Sequence, residues 1–291
     1  MPGVRALLGH RVAAERAGRC GVKPPFSYYG GKTALAERIA ALLPGHRHYV
    51  EPFAGSLAVL LAKRPSKLET VNDLDGDIVA FWRALRDDPA ALERACGLTP
   101  HSRAEHHASF EPAADDLERA RRVWVRLTQG RAGTLRRTGW KLYTNPDGTS
   151  SSMPRYLAGY AARIGPAAER LARVSLECRP ALEVITAYGS EPDALLYVDP
   201  PYLGSTRALN YRHEMPAEDE HRELAEALNN CTAAVVLSGY PSPLYDGLYA
   251  GWRRHEIGTG AGQGQEWSPR TEVVWSNRPF PQMDLFGDGA A

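Results

Sequence analysis

Two adjacent stretches decide the fold: HRHYVEPFAGSLAVLLAKR at 46–64 and LETVNDLDGDIVAFWRAL at 68–85. Each opens on a short strand-like run, Tyr49-Val50 in the first and Thr70-Val71 in the second. Each then turns, through glycine in one and through acidic residues in the other, and continues as an apolar helix. Two strand–turn–helix units in succession predict parallel strands joined by right-handed crossovers, because only that hand packs the helix back onto a right-twisted sheet. The expected fold class is α/β, a doubly wound Rossmann-like sheet.

Upstream, PPFSYYGGKTALAERIAALLP at 24–44 reads as a turn and an amphipathic helix, with Leu35, Ile39, Leu42 and Leu43 at helical spacing until Pro44 stops it. Residues 1–22 alternate Arg with Ala, lack the apolar stretch of a secretory signal and are expected to form a flexible leader. Downstream of Leu85 the pattern becomes helices and loops over 86–175, with a Gly/Ser/Thr-rich stretch at 130–154. Strand-like runs return in VSLECRPALEVITAYG (174–189), DALLYVDPPYLG (193–204) and TAAVVLSGY (232–240). The expected organisation is a sheet domain over 23–85 and 176–278, an insert at 86–175 and a tail at 279–291.

Composition narrows the partners. The 291 residues carry 35 Lys+Arg against 34 Asp+Glu, a net charge of +1, so this is no polybasic protein and any nucleic-acid contact needs a local patch. No apolar run reaches the ~18 residues of a membrane span. Cys20, Cys96, Cys178 and Cys231 are scattered without a CxxC pair and read as free thiols of a reducing cytoplasm. His46, His48, His101, His106 and His107 lack Cys or carboxylate partners at ligand spacing, so no metal is expected.

Gly30-Gly31-Lys32-Thr33 is not a phosphate loop, since Phe26 stands where that motif needs its first glycine and Pro24-Pro25 precede it instead of a buried strand. Glu51-Pro52-Phe53-Ala54-Gly55-Ser56 follows a strand and precedes a helix, the position where parallel sheets bind ligands. Asp73 ends the next strand, where a carboxylate suits the two hydroxyls of a ribose; a plain structural turn is the alternative. Asp199-Pro200-Pro201-Tyr202, directly after Leu195-Leu196-Tyr197-Val198, is sharper. Its prolines impose a rigid extended turn without backbone donors. The Asp199 carboxylate and the Pro200 carbonyl then form a pair of acceptors suited to an NH2 group. Tyr202 supplies a flat face for a planar base taken out of a duplex.

YYGGK, VEPFAGS, VNDLD and YVDPPY, in this order and with a large insert before the last, resemble the Dam-type DNA adenine-N6 methyltransferases over roughly 24–85 and 176–278, with phage or prophage relatives. The resemblance implies a Rossmann-like S-adenosylmethionine-dependent methyltransferase sheet with a mostly helical target-recognition insert. It implies that Tyr28, Lys32, Phe53, Gly55, Asp73 and Asp199 hold S-adenosylmethionine. It also implies that Asp199, Pro200 and Tyr202 hold a flipped adenine while its N6 is methylated. Two departures stand out: Arg179-Pro180-Ala181-Leu182 replaces a segment that contacts the cofactor adenine in many relatives, and Gly55-Ser56-Leu57 lacks their second small residue. An RNA or other amino-group methyltransferase, or a DNA-binding relative without catalysis, are the alternative readings.

Within the insert, Arg119, Arg121, Arg122, Arg126, Arg131, Arg136, Arg137 and Lys141 occur without an intervening acid. Gly130, Gly133 and Gly139 would let that backbone approach phosphates, and Trp140 and Tyr143 could wedge or stack. Double-stranded DNA is thus the expected partner, with Arg126, Arg131, Arg136, Arg137 and Lys141 as the candidate contacts. Val235–Tyr240 reads as a further strand with its turn, and Gly258–Gly264 as a candidate lid before the strand Thr271–Trp275. Gln282, Leu285 and Phe286 in the tail resemble the short peptides that dock on the bacterial sliding clamp.

Overall fold

Residues 21–142, 152–203, 212–259 and 270–281 are described by a computed structural model. Among them the strands are β1 (His48–Glu51), β2 (Leu68–Asn72), β3 (Ser175–Glu177), β4 (Ala194–Val198), β5 (Ala234–Gly239), β6 (Arg253–Thr259) and β7 (Arg270–Ser276). They form one sheet in the order β3-β2-β1-β4-β5-β7-β6. The first five run parallel; β7 pairs antiparallel with β5, and β6 antiparallel with β7. Every residue of β4 and β5 is buried, as both-face coverage by helices requires of central parallel strands.

Strand order reverses between β1 and β4, so the crossovers leave in opposite directions and open a crevice at the carboxyl ends of these two strands. The helix α1 (Ala36–Ala41) precedes β1, and α2 (Ala58–Ala62) connects β1 to β2. After β2, α3 (Gly76–Asp87) starts on Asp75, whose carboxylate caps the Asp77 amide.

The inserted segment consists of α4 (Pro89–Leu98), α5 (Arg103–Ala108), α6 (Asp116–Gln129), α7 (Met153–Ala161) and α8 (Ile164–Leu171). It does not form a core of its own. Trp124, Leu127, Ile164 and Leu171 share one apolar cluster with Phe26, Phe81 and Trp82. The Trp124 indole donates to the Pro25 carbonyl at 2.9 Å, which ties α6 to the segment ahead of the sheet. Beyond the insert, α9 (Ala181–Gly189), α10 (Glu218–Asn229) and α11 (Pro243–Leu248) cover the other side around β4 and β5 in a second cluster. No helix among the described residues is long and apolar enough to cross a membrane.

Candidate active site

A cavity of about 360 Å³ opens at the carboxyl ends of β1, β2 and β4, lined by Tyr28, Lys32, Glu51, Phe53, Gly55, Asp73 and Asp199 among others. Its walls are built by close backbone approach. Gly55 has φ +47°, and a Cβ there would meet the Tyr28 ring at 3.1 Å. A Cβ on Gly31 would come 2.9 Å from the Tyr28 carbonyl. Leu57, fully buried, holds φ 55° and ψ 29°, a left-handed conformation costing a branched side chain on the order of 1–3 kcal/mol. The departure from a second small residue therefore falls within a backbone turn that strains the residue present.

Carboxylates line the floor. The Asp73 carboxylate accepts from the Gly55 amide at 2.9 Å and the Asp75 amide at 2.8 Å, fixing the two turns against each other. Burial, with the charge of Asp75, raises its pKa to about 6. Glu51 accepts from the Tyr49 hydroxyl and from the Leu60 amide at 3.0 Å, yet burial still pushes it up to about 8. Such a cavity suits a ligand that brings its own positive charge.

At one wall a denser cluster forms. Lys32 Nζ donates to both carboxylate oxygens of Asp199, at 2.7 and 2.9 Å, to the Gly30 carbonyl at 3.0 Å and to the Tyr202 hydroxyl. Ser238 Oγ, at the end of β5, donates to Asp199 Oδ1 at 3.0 Å. Tyr202 donates to Glu272 Oε1 at 2.7 Å, and its ring lies against Tyr240 with centroids 4.5 Å apart. Burial opposes the Lys32 charge, but Asp199 and Glu272 outweigh it and hold the lysine above its ordinary pKa. Burial and the Asp199 charge raise Glu272 to about 7, despite the nearby Lys32.

The predicted cofactor residues thus converge on one cavity, with Lys32 bound to Asp199. The turn after β4 divides its residues: Asp199 and Pro201 line the cavity, whereas Pro200 is buried and Tyr202 faces Lys32, Glu272 and Tyr240. The segment 179–182, to which the sequence assigns no role, supplies Pro180, Ala181 and Leu182 to the cavity wall. Asn72 pins it by exchanging hydrogen bonds with the Arg179 backbone at 2.9 and 3.0 Å. Sequence reasoning quoted Glu51 and Ser238 within their motifs without giving either a role, and missed Glu272. A lone acid in the apolar strand Thr271–Trp275 was the available signal for Glu272.

The basic run divides in space. Arg126 is 7% exposed and pairs with Asp77 at 3.1 Å, so this guanidinium is spent inside the fold rather than offered to DNA. Asp77 also takes Arg119 and Arg212, each at 2.8 Å; against burial, these arginines hold its carboxyl at about 2. Arg121 and Arg122 are tied to Glu118. Lys141 likewise turns inward, donating to the Thr128 carbonyl at 3.1 Å and the Tyr156 hydroxyl at 3.3 Å. Arg131 and Arg137 are exposed and Arg136 is half-buried. The run has no acids of its own, but Asp77 on α3 reaches Arg119 and Arg126, and Glu118, one residue ahead of the run on α6, takes Arg121 and Arg122. Tyr143 and the tail residues Gln282, Leu285 and Phe286 lie outside the described residues, as does Gly260–Gly264 of the candidate lid.

The family of D12 class N6 adenine-specific DNA methyltransferases matches residues 28–259. A retron Ec67 DNA adenine methylase of Escherichia coli is 25% identical over 270 residues, covering 84% of this chain and 88% of that protein. Among solved structures, precorrin 8W decarboxylase of Methanobacterium thermoautotrophicum aligns over 88% of this chain and 98% of its own at 10% identity, with a TM-score of 0.37 that is too low to bear on the fold.

Proposed function

Because the chain belongs to the D12 class of N6 adenine-specific DNA methyltransferases, we propose that its cavity binds S-adenosylmethionine and that the turn Asp199–Tyr202 holds the target adenine outside the duplex. The observation that carries this reading is the position of Asp199. One carboxylate both lines the cavity and joins the Lys32–Tyr202 cluster, so donor and acceptor would meet across it. The residues fit the donor: Tyr28, Phe53 and Gly55 form an apolar wall with close backbone, and Glu51, Asp73 and Asp199 supply acidic partners. S-Adenosylmethionine, when bound, supplies a methyl group already activated on a sulfonium, so the protein's contribution is mainly alignment.

Asp199 accepts a hydrogen bond from the exocyclic amine and stabilises the positive charge that develops on its nitrogen. The Pro200 carbonyl is the second acceptor. Tyr202 stacks on the base, with Tyr240 backing its ring. Lys32 lines the cavity expected to take the donor and also orients Asp199 through both carboxylate oxygens. Arg131, Arg136 and Arg137 meet the phosphates next to the site.

Incubation with labelled S-adenosylmethionine and duplex DNA should yield N6-methyladenine; label on cytosine, or on RNA alone, overturns the reading. Asp199→Ala should lower transfer by about 10²–10³-fold or more while DNA binding persists. Near-wild-type turnover in that variant would remove Asp199 from the chemistry.

A further inference from the structure

The methyl-transfer reading leaves Glu272 without a role, although it is 4% exposed and bonded into the Lys32–Asp199–Tyr202 cluster. Its place follows from topology. β7 runs antiparallel to β5, with Val273 beside Gly239, so its first residues enter the sheet where the parallel strands end. A carboxylate there arrives beside the Asp199 turn from a distant part of the sequence.

Acceptor capacity at Asp199 shows what Glu272 can do. A carboxylate oxygen has two lone pairs. Oδ1 already receives Lys32 at 2.7 Å and Ser238 at 3.0 Å, while among the described residues Oδ2 receives only Lys32, at 2.9 Å. Oδ2 is therefore the oxygen with room for a substrate amine. The Tyr202 hydroxyl lies 3.4 Å from Asp199 Oδ1 and 2.7 Å from Glu272 Oε1. Its proton goes to Glu272, and its oxygen receives Lys32. Without Glu272 the nearest acceptor for that proton is Asp199, which would then face a further donor. Glu272 also lies 3.7 Å from Lys32, so one ammonium faces two carboxylates. The surplus negative charge sits in a buried space, where it is worth most against a developing positive charge.

We propose that Glu272 is a positioning residue for methyl transfer: it takes the Tyr202 proton and shares Lys32, and so keeps Asp199 an open acceptor for the target amine. The proposal rests on Asp199 acting as described above. The groups facing Glu272 are Lys32 from the segment before α1, Asp199 and Tyr202 from the turn after β4, and Tyr197 within β4. Neighbouring β6 places uncharged Ile257 opposite it, and β5 ends beside it at Gly239, followed by Tyr240.

The test compares the full-length wild type, E272Q, E272D and D199A, using labelled S-adenosylmethionine and unmethylated duplex DNA. E272Q should lose about 10- to 100-fold in kcat, with KM for DNA and the calorimetric Kd for S-adenosylmethionine within about threefold. The wild-type rate should fall as pH drops through about 7, and E272Q should lose that limb. E272D, which restores the charge with a shorter reach, should recover part of kcat.

A readout without substrate is the unfolding midpoint. The folded Glu272 pKa of about 7 exceeds the ordinary 4.5, so the folded protein binds the extra proton between these values and loses stability as pH rises through them. E272Q should accordingly gain on the wild type across that window. Wild-type kcat and an unchanged pH limb in E272Q, with D199A inactive, would overturn the role of Glu272 alone. An active D199A would overturn the methyl-transfer reading beneath it. Should E272Q fail to fold, Tyr202→Phe takes its place: losing the hydrogen bond that lowers the Glu272 pKa should move the limb to higher pH, and an unmoved limb overturns the proposal.

Discussion

Two buried lysine–carboxylate clusters occupy opposite ends of one sheet, the first at the amino end of β2 and the second past the carboxyl end of β4. In the first, Lys63 pairs with Glu69 at 2.6 Å, and Arg170 completes Glu69 with a second pair of bonds. In the second, Lys32 pairs with Asp199 at 2.7 Å, and Glu272 stands 3.7 Å away. The residue types match, but the charge balance is reversed. Two cations share one acid in the first cluster, and one cation serves two acids in the second. Burial and Arg170 depress Lys63, whereas Glu69 is held below its usual range despite its burial because Arg170 and Lys63 bond to it. Against its burial, Lys32 is raised by the Asp199 and Glu272 charges, and Glu272 is raised by burial first and by the Asp199 charge second. In a cluster closed on itself, loss of one partner leaves the others' charge buried and unpaired; a cluster with an acceptor left open beside a cavity can receive a ligand.

The comparison breaks most visibly through deletion. Glu69→Ala strands Lys63 and Arg170 in the interior and should cost about 3–5 kcal/mol of stability, read by denaturant unfolding. Its kcat should be unchanged at temperatures where it remains folded, the reverse of Asp199→Ala. A low kcat in folded Glu69→Ala protein would mean that the two clusters are not separate in function.

A smaller effect lies in pH. Glu69 has a depressed folded pKa, so its stabilisation is complete above the ordinary value of 4.5 and is lost as pH falls below it. The deficit of E69Q against the wild type should therefore shrink on acidification through that range. Glu272 works in the opposite direction and at higher pH. Unfolding midpoints of both Gln variants that moved the same way with pH would contradict the reversed charge balance.

The smallest effect extends the contrast to the insert. Arg126 is spent on Asp77, whereas Arg136 and Arg137 lie on the turn beyond α6. Neutralising Arg136 and Arg137 should reduce the salt slope of DNA binding by about 2, as loss of two phosphate contacts predicts. Arg126→Gln should leave that slope alone and lower the unfolding midpoint. An unchanged slope in the double variant would remove both arginines from the phosphate surface.

Much of this was legible because local chemistry carried it. Strand–turn–helix periodicity at 46–85 gave the parallel sheet, and the prolines after Asp199 gave its rigid turn. Phe53, Gly55 and Asp73 were readable as turn residues at strand ends, Tyr28 followed from the family resemblance, and all four line one cavity. The basic run reads differently in three dimensions: Arg126 meets an acid contributed by another element, and Lys141 turns inward onto the Thr128 carbonyl and the Tyr156 hydroxyl, neither of which a one-dimensional charge count can see. Asp77 precedes Arg126 by 49 positions yet neutralises it.

The sequence by itself therefore determined the fold class, the family and the strand-end residues, since each depends on spacing along a few consecutive positions. Tertiary structure alone decided which charges remain free. Lys32 meets Asp199 across 167 positions and Tyr202 meets Glu272 across 70, contacts that exist only because strand order brings β1, β4, β5 and β7 to one edge. Whether a charged group is spent or available depends on the partners and burial it finds there, and pattern along the chain contains neither.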